Sequence, residues 1–123
     1  PPLVGFLPGM QSRSWPAISE SGKFCVNILT DGQDELCWKF AKEPTDGETS
    51  KFSGVEWKPS VNGSPILAGV IGWIDCTIEV VYEVGDHFFV VGRVQDLAQN
   101  DDVATAMVFF RGKVASVTMP TDE

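Results

Sequence analysis

Apolar residues run along this chain in short bursts separated by Gly, Pro, Asn and Asp, a pattern that predicts strands and turns more than helices. Leu3 to Leu7 reads as a short strand stopped by Pro8-Gly9, and Phe24 to Leu29 as a second. Phe52, Val55 and Trp57 return to apolar character, and Asn62-Gly63-Ser64-Pro65 is a turn. Ile66 to Val84 is the longest β signal, close to alternating from Thr77 to Val81. Gly85-Asp86 turns it into a return strand from His87 to Leu97, a strong hairpin signal. A polar loop from Ala98 to Thr105 leads to a strand from Ala106 to Phe110 that ends at Arg111-Gly112, and Val114 to Val117 extends the sheet.

Two segments carry helix chemistry. Between Ser12 and Ser21, Ser14 is the expected N-cap, Pro16 suits a first turn and Gly22 a C-terminal stop. Thr30-Asp31-Gly32-Gln33 has the form of a capping box before a helix from Asp34 to Lys42, whose Leu36, Phe40 and Ala41 make one apolar stripe facing the core. Glu43 to Ser50 is polar and reads as an exposed loop. About six strands and two helices with antiparallel neighbours predict a mainly β fold, a small barrel with helices on its outside. Gly69, Gly72 and Gly92 fall inside strand runs, where glycine marks bends or bulges. No G-x-G-x-x-G follows a strand, which argues against a dinucleotide-binding βαβ domain.

The 123 residues make one domain, 1–123, long enough to bury a core. The net charge of −8 argues against a nucleic-acid partner and against an anionic membrane surface. Cys25, Cys37 and Cys76 are spaced for neither zinc nor a CxxC redox pair; they read as small buried residues in a reducing cytoplasm. One histidine and scattered cysteines give no metal site. No stretch approaches the length of a membrane span, and no secretory signal pattern opens the chain. The abrupt start at Pro1-Pro2-Leu3 reads as part of a longer protein.

Several segments, taken in order, resemble the flavin reductase-like family with the FMN-binding split-barrel fold. They are Pro1-Pro2-Leu3-Val4, Ser12-Arg13-Ser14-Trp15, Gly22 to Leu29, Lys51 to Trp57, Gly63 to Leu67, Gly85-Asp86-His87-Phe88 and Phe109-Phe110-Arg111-Gly112. Each is weak alone; their order along nearly the whole chain is specific. The chain looks most like the small reductase components of two-component flavin-dependent monooxygenases. The resemblance implies an antiparallel split β-barrel, here lacking the family's N-terminal strands. It also implies a homodimer with a dimer-lined cleft, and hydride transfer from NADH or NADPH to FMN or FAD. Reduced flavin would then pass to a monooxygenase partner. The alternatives are a flavin-binding split barrel for electron transfer or storage with no nicotinamide site, and a non-catalytic interaction domain.

The candidate site residues have two readings each. Ser12, Arg13 and Ser14 offer hydroxyls, amides and a positive charge for a flavin phosphate, or form an ordinary cap with a solvated arginine. Trp15 is the tryptophan expected near the flavin, while Trp38 and Trp73 are expected in core packing. Ser50, Lys51 and Phe52 lie near the flavin by resemblance: the lysine against phosphate, the phenylalanine flanking a ring. The other reading is a solvated lysine beside a core phenylalanine. His87 is a solvated turn residue or, by resemblance, the group that orients the nicotinamide without transferring a proton. Asp86 is expected to shape the turn. Phe110, Arg111 and Gly112 are expected to contact the dinucleotide, with the arginine fork on phosphate or ribose; the other reading is a barrel-end arginine paired with an acid.

Overall fold

The computed structural model describes residues 1–42 and 51–120. Its strands are β1 (Leu3–Phe6), β2 (Lys23–Ile28), β3 (Trp57–Pro59), β4 (Pro65–Leu67), β5 (Gly72–Val84), β6 (His87–Gln99), β7 (Thr105–Phe110) and β8 (Lys113–Thr118). Two helices, α1 (Trp15–Ser21) and α2 (Asp34–Ala41), flank β2 in sequence. The strands pair antiparallel throughout, as the hairpin pattern predicts, in one four-stranded sheet of order β1-β6-β5-β2 and two two-stranded sheets, β3-β4 and β7-β8.

The β5–β6 ribbon is the spine. Gly85, at φ 59°, takes the left-handed first position of a two-residue turn, and Val84 pairs with His87 across it. The ribbon carries two irregularities, between Asp75 and Cys76 and between Ile78 and Val80. Glu79 is the extra residue at the second, and Arg93 opposite clasps it with two hydrogen bonds of 2.8 and 3.0 Å. This pairing holds the Glu79 carboxyl below its usual range.

The single run expected from Ile66 to Val84 is two strands. Gly69, at φ 78°, breaks it, and β4 turns away to pair with β3. Gly92 borders the Glu79 bulge, yet close approach is what demands a glycine there. A Cβ on it would fall 2.4 Å from Phe24 Cζ and 3.0 Å from Cys76 Cβ. Gly72 is similar, with the Ala98 carbonyl oxygen 2.6 Å from where a Cβ would stand.

Trp15, Phe24, Cys76 and Val90 form the buried core, with Val4, Phe6, Ile18 and Phe88 packed around them. The rings of Phe6 and Phe24 meet edge to face at 4.8 Å. Of the cysteines, Cys76 is buried and the other two are half-buried. Burial, with Asp75 adding to it, pushes the Cys25 thiol up to about 11.

The helix boundaries follow the sequence, but the caps differ. Ser14 sits at the N-cap position of α1 without a capping bond; Ser12 Oγ accepts the Trp15 N–H instead, at 3.3 Å. Gly22 closes α1 in the left-handed conformation. The expected capping box does not cap α2, whose N-cap is Gln33 with no side-chain capping bond; Gln33 Oε1 accepts the Thr30 N–H at 2.9 Å in the turn before it. The Thr30 hydroxyl is drawn away to the Thr105 carbonyl, 2.6 Å distant, which ties β7 to the end of β2. Trp38 is not a core residue. It is 37% exposed on α2, edge-on to Phe109 of β7 and under the Lys42 ammonium. No helix is long and apolar enough to cross a membrane, and no group of metal-binding side chains gathers among the described residues.

Candidate functional site

The residues singled out from the sequence fall into two groups. The first gathers where β1 runs out past the β5–β6 turn. Beyond Phe6 the chain stays alongside the ribbon: Phe88 N–H donates to the Pro8 carbonyl, Gly9 bridges His87, and Met10 N–H donates to the Asp86 carbonyl. Ser12 N–H then donates back to the Gly9 carbonyl at 3.0 Å. The Ser12-Arg13-Ser14 loop is thereby tied through Gly9 to the His87 end of the ribbon. Pro8-Gly9, read as a strand stop, is what carries the serine loop across the turn.

Within this group the side chains are differently employed. His87 is 46% exposed, and its Nδ1 lies 2.7 Å from Asp86 Oδ1. That hydrogen bond lowers the Asp86 carboxyl from its usual value. Asp86 thus shapes the turn and also grips the imidazole, which the sequence did not show. Ser14 leaves its hydroxyl out of the helix cap, whereas Ser12 Oγ is engaged by Trp15 N–H. The helix that follows has only seven residues. Trp15, expected near the flavin, is a core residue at 8% exposure, its ring edge-on to Phe6 and tilted against Phe88.

The second group surrounds α2 and the β7–β8 hairpin. Lys51 Nζ donates to the Phe40 carbonyl at 2.9 Å, capping the last turn of α2, so its charge is committed to a helix end. The Phe52 ring lies between Phe40 and Trp57, at 5.0 and 5.8 Å, as a packing residue. Ser50 lies outside the described residues. Phe110, Arg111 and Gly112 form the hairpin tip, where Arg111 (φ 53°) and Gly112 (φ 77°) both take the left-handed conformation of a tight turn. The Arg111 guanidinium lies over the exposed Phe110 ring, 5.1 Å from its centroid.

The hairpin is rooted through Thr105 to Thr30 and through Met107 N–H to the Leu29 carbonyl. That root is at the Gly72 end of the ribbon, while His87 closes the other end, thirteen residues along β5. Imidazole and guanidinium therefore do not share a lip of one hollow within a single chain. A hollow of about 360 Å³ does open at the Gly72 end, between β3–β4 and the ribbon, lined by Trp57, Leu67, Val70, Trp73 and Gln99 among others. It includes none of the expected site residues.

One polar constellation escaped the sequence reading. Asp75 is fully buried (0% exposed) in β5 and accepts from Ser60 Oγ at 2.8 Å and from the Asn62 N–H at 3.1 Å. Asn62 Nδ2 donates to the Cys76 carbonyl, and Lys23 Nζ to the Asn62 carbonyl. Together they pin the turn between β3 and β4 onto the spine. The available signal was a carboxylate inside the apolar run Gly72 to Ile78.

The model of the flavin reductase like domain matches residues 1–118. The chain belongs to the flavin reductase-like family. A flavin reductase of Pseudomonas putida is 49% identical over 112 residues, 91% of this chain and 63% of that protein. The chain thus spans under two thirds of that relative's length. The crystal structure of a nitrilotriacetate monooxygenase component B homologue from Mycobacterium thermoresistibile superposes with a TM-score of 0.87 at 40% identity, covering 100% of this chain and 69% of that one. The NADH:FAD oxidoreductase SgcE6 of Streptomyces globisporus gives a TM-score of 0.84 at 28% identity, covering 94% and 68%. The resemblance read from the ordered segments therefore holds for the family and for the fold.

Proposed function

We propose that this chain is the flavin-binding and nicotinamide-binding part of an NAD(P)H:flavin oxidoreductase that supplies reduced flavin to a partner monooxygenase. The observation that carries the proposal is the Gly9–His87 bridge, which with the Ser12 N–H to Gly9 carbonyl bond ties the start of the serine-arginine loop to the one histidine of a flavin reductase-like chain. Likeness to a flavin reductase, a monooxygenase component and an NADH:FAD oxidoreductase supports the same activity.

The residues present suit a flavin phosphate at this loop. Ser14 keeps a hydroxyl outside the cap, and Arg13 is exposed beside it. FMN or FAD, when bound, supplies the acceptor for the two electrons of a nicotinamide hydride. Arg13 and Ser14 hold the phosphate, and His87 aligns the nicotinamide ring by contact, because hydride transfer depends on distance and alignment. Lys51, Phe52 and Trp15 are left out, being committed to the α2 end and to the core.

Arg111 and Phe110 enter this scheme from a second copy. Their hairpin tip is remote from His87 in its own chain, and a cleft lined by two chains brings a tip to the opposite lip. The split-barrel closure and the cytoplasmic setting belong to the same proposal. The test is oxidation of NADH or NADPH by the purified protein with added FMN or FAD. Turnover is expected, with a raised nicotinamide KM in His87→Ala and in Arg111→Ala. A folded protein with no turnover above background refutes the activity; unchanged KM in both variants refutes the nicotinamide assignment.

A further inference from the structure

A carboxylate that stays ionised at neutral pH has only acceptor oxygens. Asp86 is such a group, its pKa lowered by its contact with His87, and its Oδ1 stands 2.7 Å from His87 Nδ1. A hydrogen bond of that length needs its proton on Nδ1. In the neutral ring Nε2 is then a bare lone pair. Nε2 lies near Gly9, where a Cβ would still stand 3.9 Å away, so no side chain covers it from that residue. It has no hydrogen-bond partner among the described residues, and nearly half of the His87 side chain is open to solvent.

We infer that Asp86 is a positioning residue that fixes His87 as the Nδ1–H tautomer, so that Nε2 accepts a hydrogen bond from the carboxamide N–H of the nicotinamide. This rests on the placement of nicotinamide at His87 proposed above. The carboxamide carries the only N–H donors on that ring, and its plane sets which way the ring lies. An unheld imidazole populates the opposite tautomer, whose Nε2–H faces a donor with a donor. Asp86 removes that mismatch before the ligand arrives, as a hydrogen-bonded carboxylate does for imidazoles in many sites.

His87 is the sole histidine, so its two ring nitrogens can be read without assignment ambiguity. With the ring neutral, nitrogen-15 NMR of the whole chain is expected to show a protonated Nδ1 and a bare Nε2. Asp86→Ala is expected to shift the population toward Nε2–H. Asp86→Asn, whose amide oxygen still accepts from Nδ1, is expected to retain the parent pattern. Asp86 is exposed at a turn, so both variants keep the fold.

The second readout compares NADH with its 3-acetylpyridine analogue, which keeps the carbonyl and lacks the N–H donors. One hydrogen bond corresponds to a KM ratio of about tenfold in the parent. That ratio is expected to collapse toward unity in Asp86→Ala and in His87→Ala, and to survive in Asp86→Asn. A protonated Nε2 in the neutral parent overturns the inference, as does a ratio unchanged by Asp86→Ala but abolished by His87→Ala. A ratio that His87→Ala leaves intact overturns instead the placement of nicotinamide at this histidine.

Discussion

Replacing Gly92 with alanine tests the packing at the centre of the spine. Gly92 pairs with Val4 on one side and Ile78 on the other, and the Phe24 ring lies across it. The added methyl carbon would stand 2.4 and 2.8 Å from two ring atoms of Phe24 and 3.0 Å from Cys76 Cβ. Carbon atoms rest at about 3.5–4.0 Å, so the ring must withdraw by roughly 1 Å or more. It cannot do so freely, because the Phe6 ring meets it at 4.8 Å and Phe24 is itself buried. Overpacking of this kind costs about 1–3 kcal/mol. Alanine recovers about 0.4–1 kcal/mol by restricting the unfolded chain. The net expectation is a loss of about 1–2 kcal/mol in urea unfolding, or a melting temperature lower by about 5–10 °C in a domain of this size. Phe24→Leu in the same chain takes away the ring atoms that the methyl meets. The double variant is therefore expected to be more stable than the sum of the single losses, by about 0.5–1 kcal/mol. A Gly92→Ala protein within about 0.5 kcal/mol of the parent, or strict additivity with Phe24→Leu, refutes the reasoning.

Other consequences concern turns, buried groups and pH. Arg111→Asn relieves a left-handed arginine and is expected to stabilise the hairpin by a few tenths to about 1 kcal/mol, while raising the nicotinamide KM; equal losses in both point to a purely structural role. Asp75→Ala removes the acceptor for Ser60 and for the Asn62 N–H and is expected to cost about 1–3 kcal/mol by denaturant titration. With its thiol at about 11, Cys25 is expected to alkylate more slowly in the folded than in the unfolded chain, at a rate rising steadily with alkaline pH. Because that pKa is raised on folding, stability is complete below about 9 and declines as pH climbs toward 11, a decline that Cys25→Ala should lessen. Glu79 has the opposite sign. Its lowered carboxyl pKa stabilises the fold above the ordinary carboxylate range and stops doing so as pH falls through the folded value, so Glu79→Gln should flatten acid unfolding.

Much of the fold was legible because it is local. The Gly85-Asp86 turn and the alternation on either side fix the β5–β6 ribbon, and Gly22 ends α1 where a left-handed residue is needed. What the sequence could not show depends on distant partners. The Thr30 hydroxyl does not accept from the Gln33 N–H as a capping box requires; it donates to the carbonyl of Thr105, seventy-five positions away, and the helix starts later, with Gln33 at its N-cap. The long β run breaks at Gly69 because β4 finds β3 as a partner, which no local signal announces. Gly92 looked like a bend residue, and only the packed Phe24 ring shows that it is a clearance.

The site divides the same way. The residue types near His87 were visible as motifs, but the bridge to Gly9 and the Asp86 contact are tertiary. The core packing of Trp15 and the reach of Lys51 to the α2 end likewise depend on distant partners.

The most direct measurement is anaerobic bleaching of protein-bound flavin on mixing with NADH or NADPH deuterated at C4 of the transferring face. A primary isotope effect on bleaching, with a rate at least about tenfold lower in His87→Ala, is what aligned hydride transfer at this histidine requires. Bound flavin that keeps its colour under excess reductant, or bleaches equally fast without the imidazole, contradicts it.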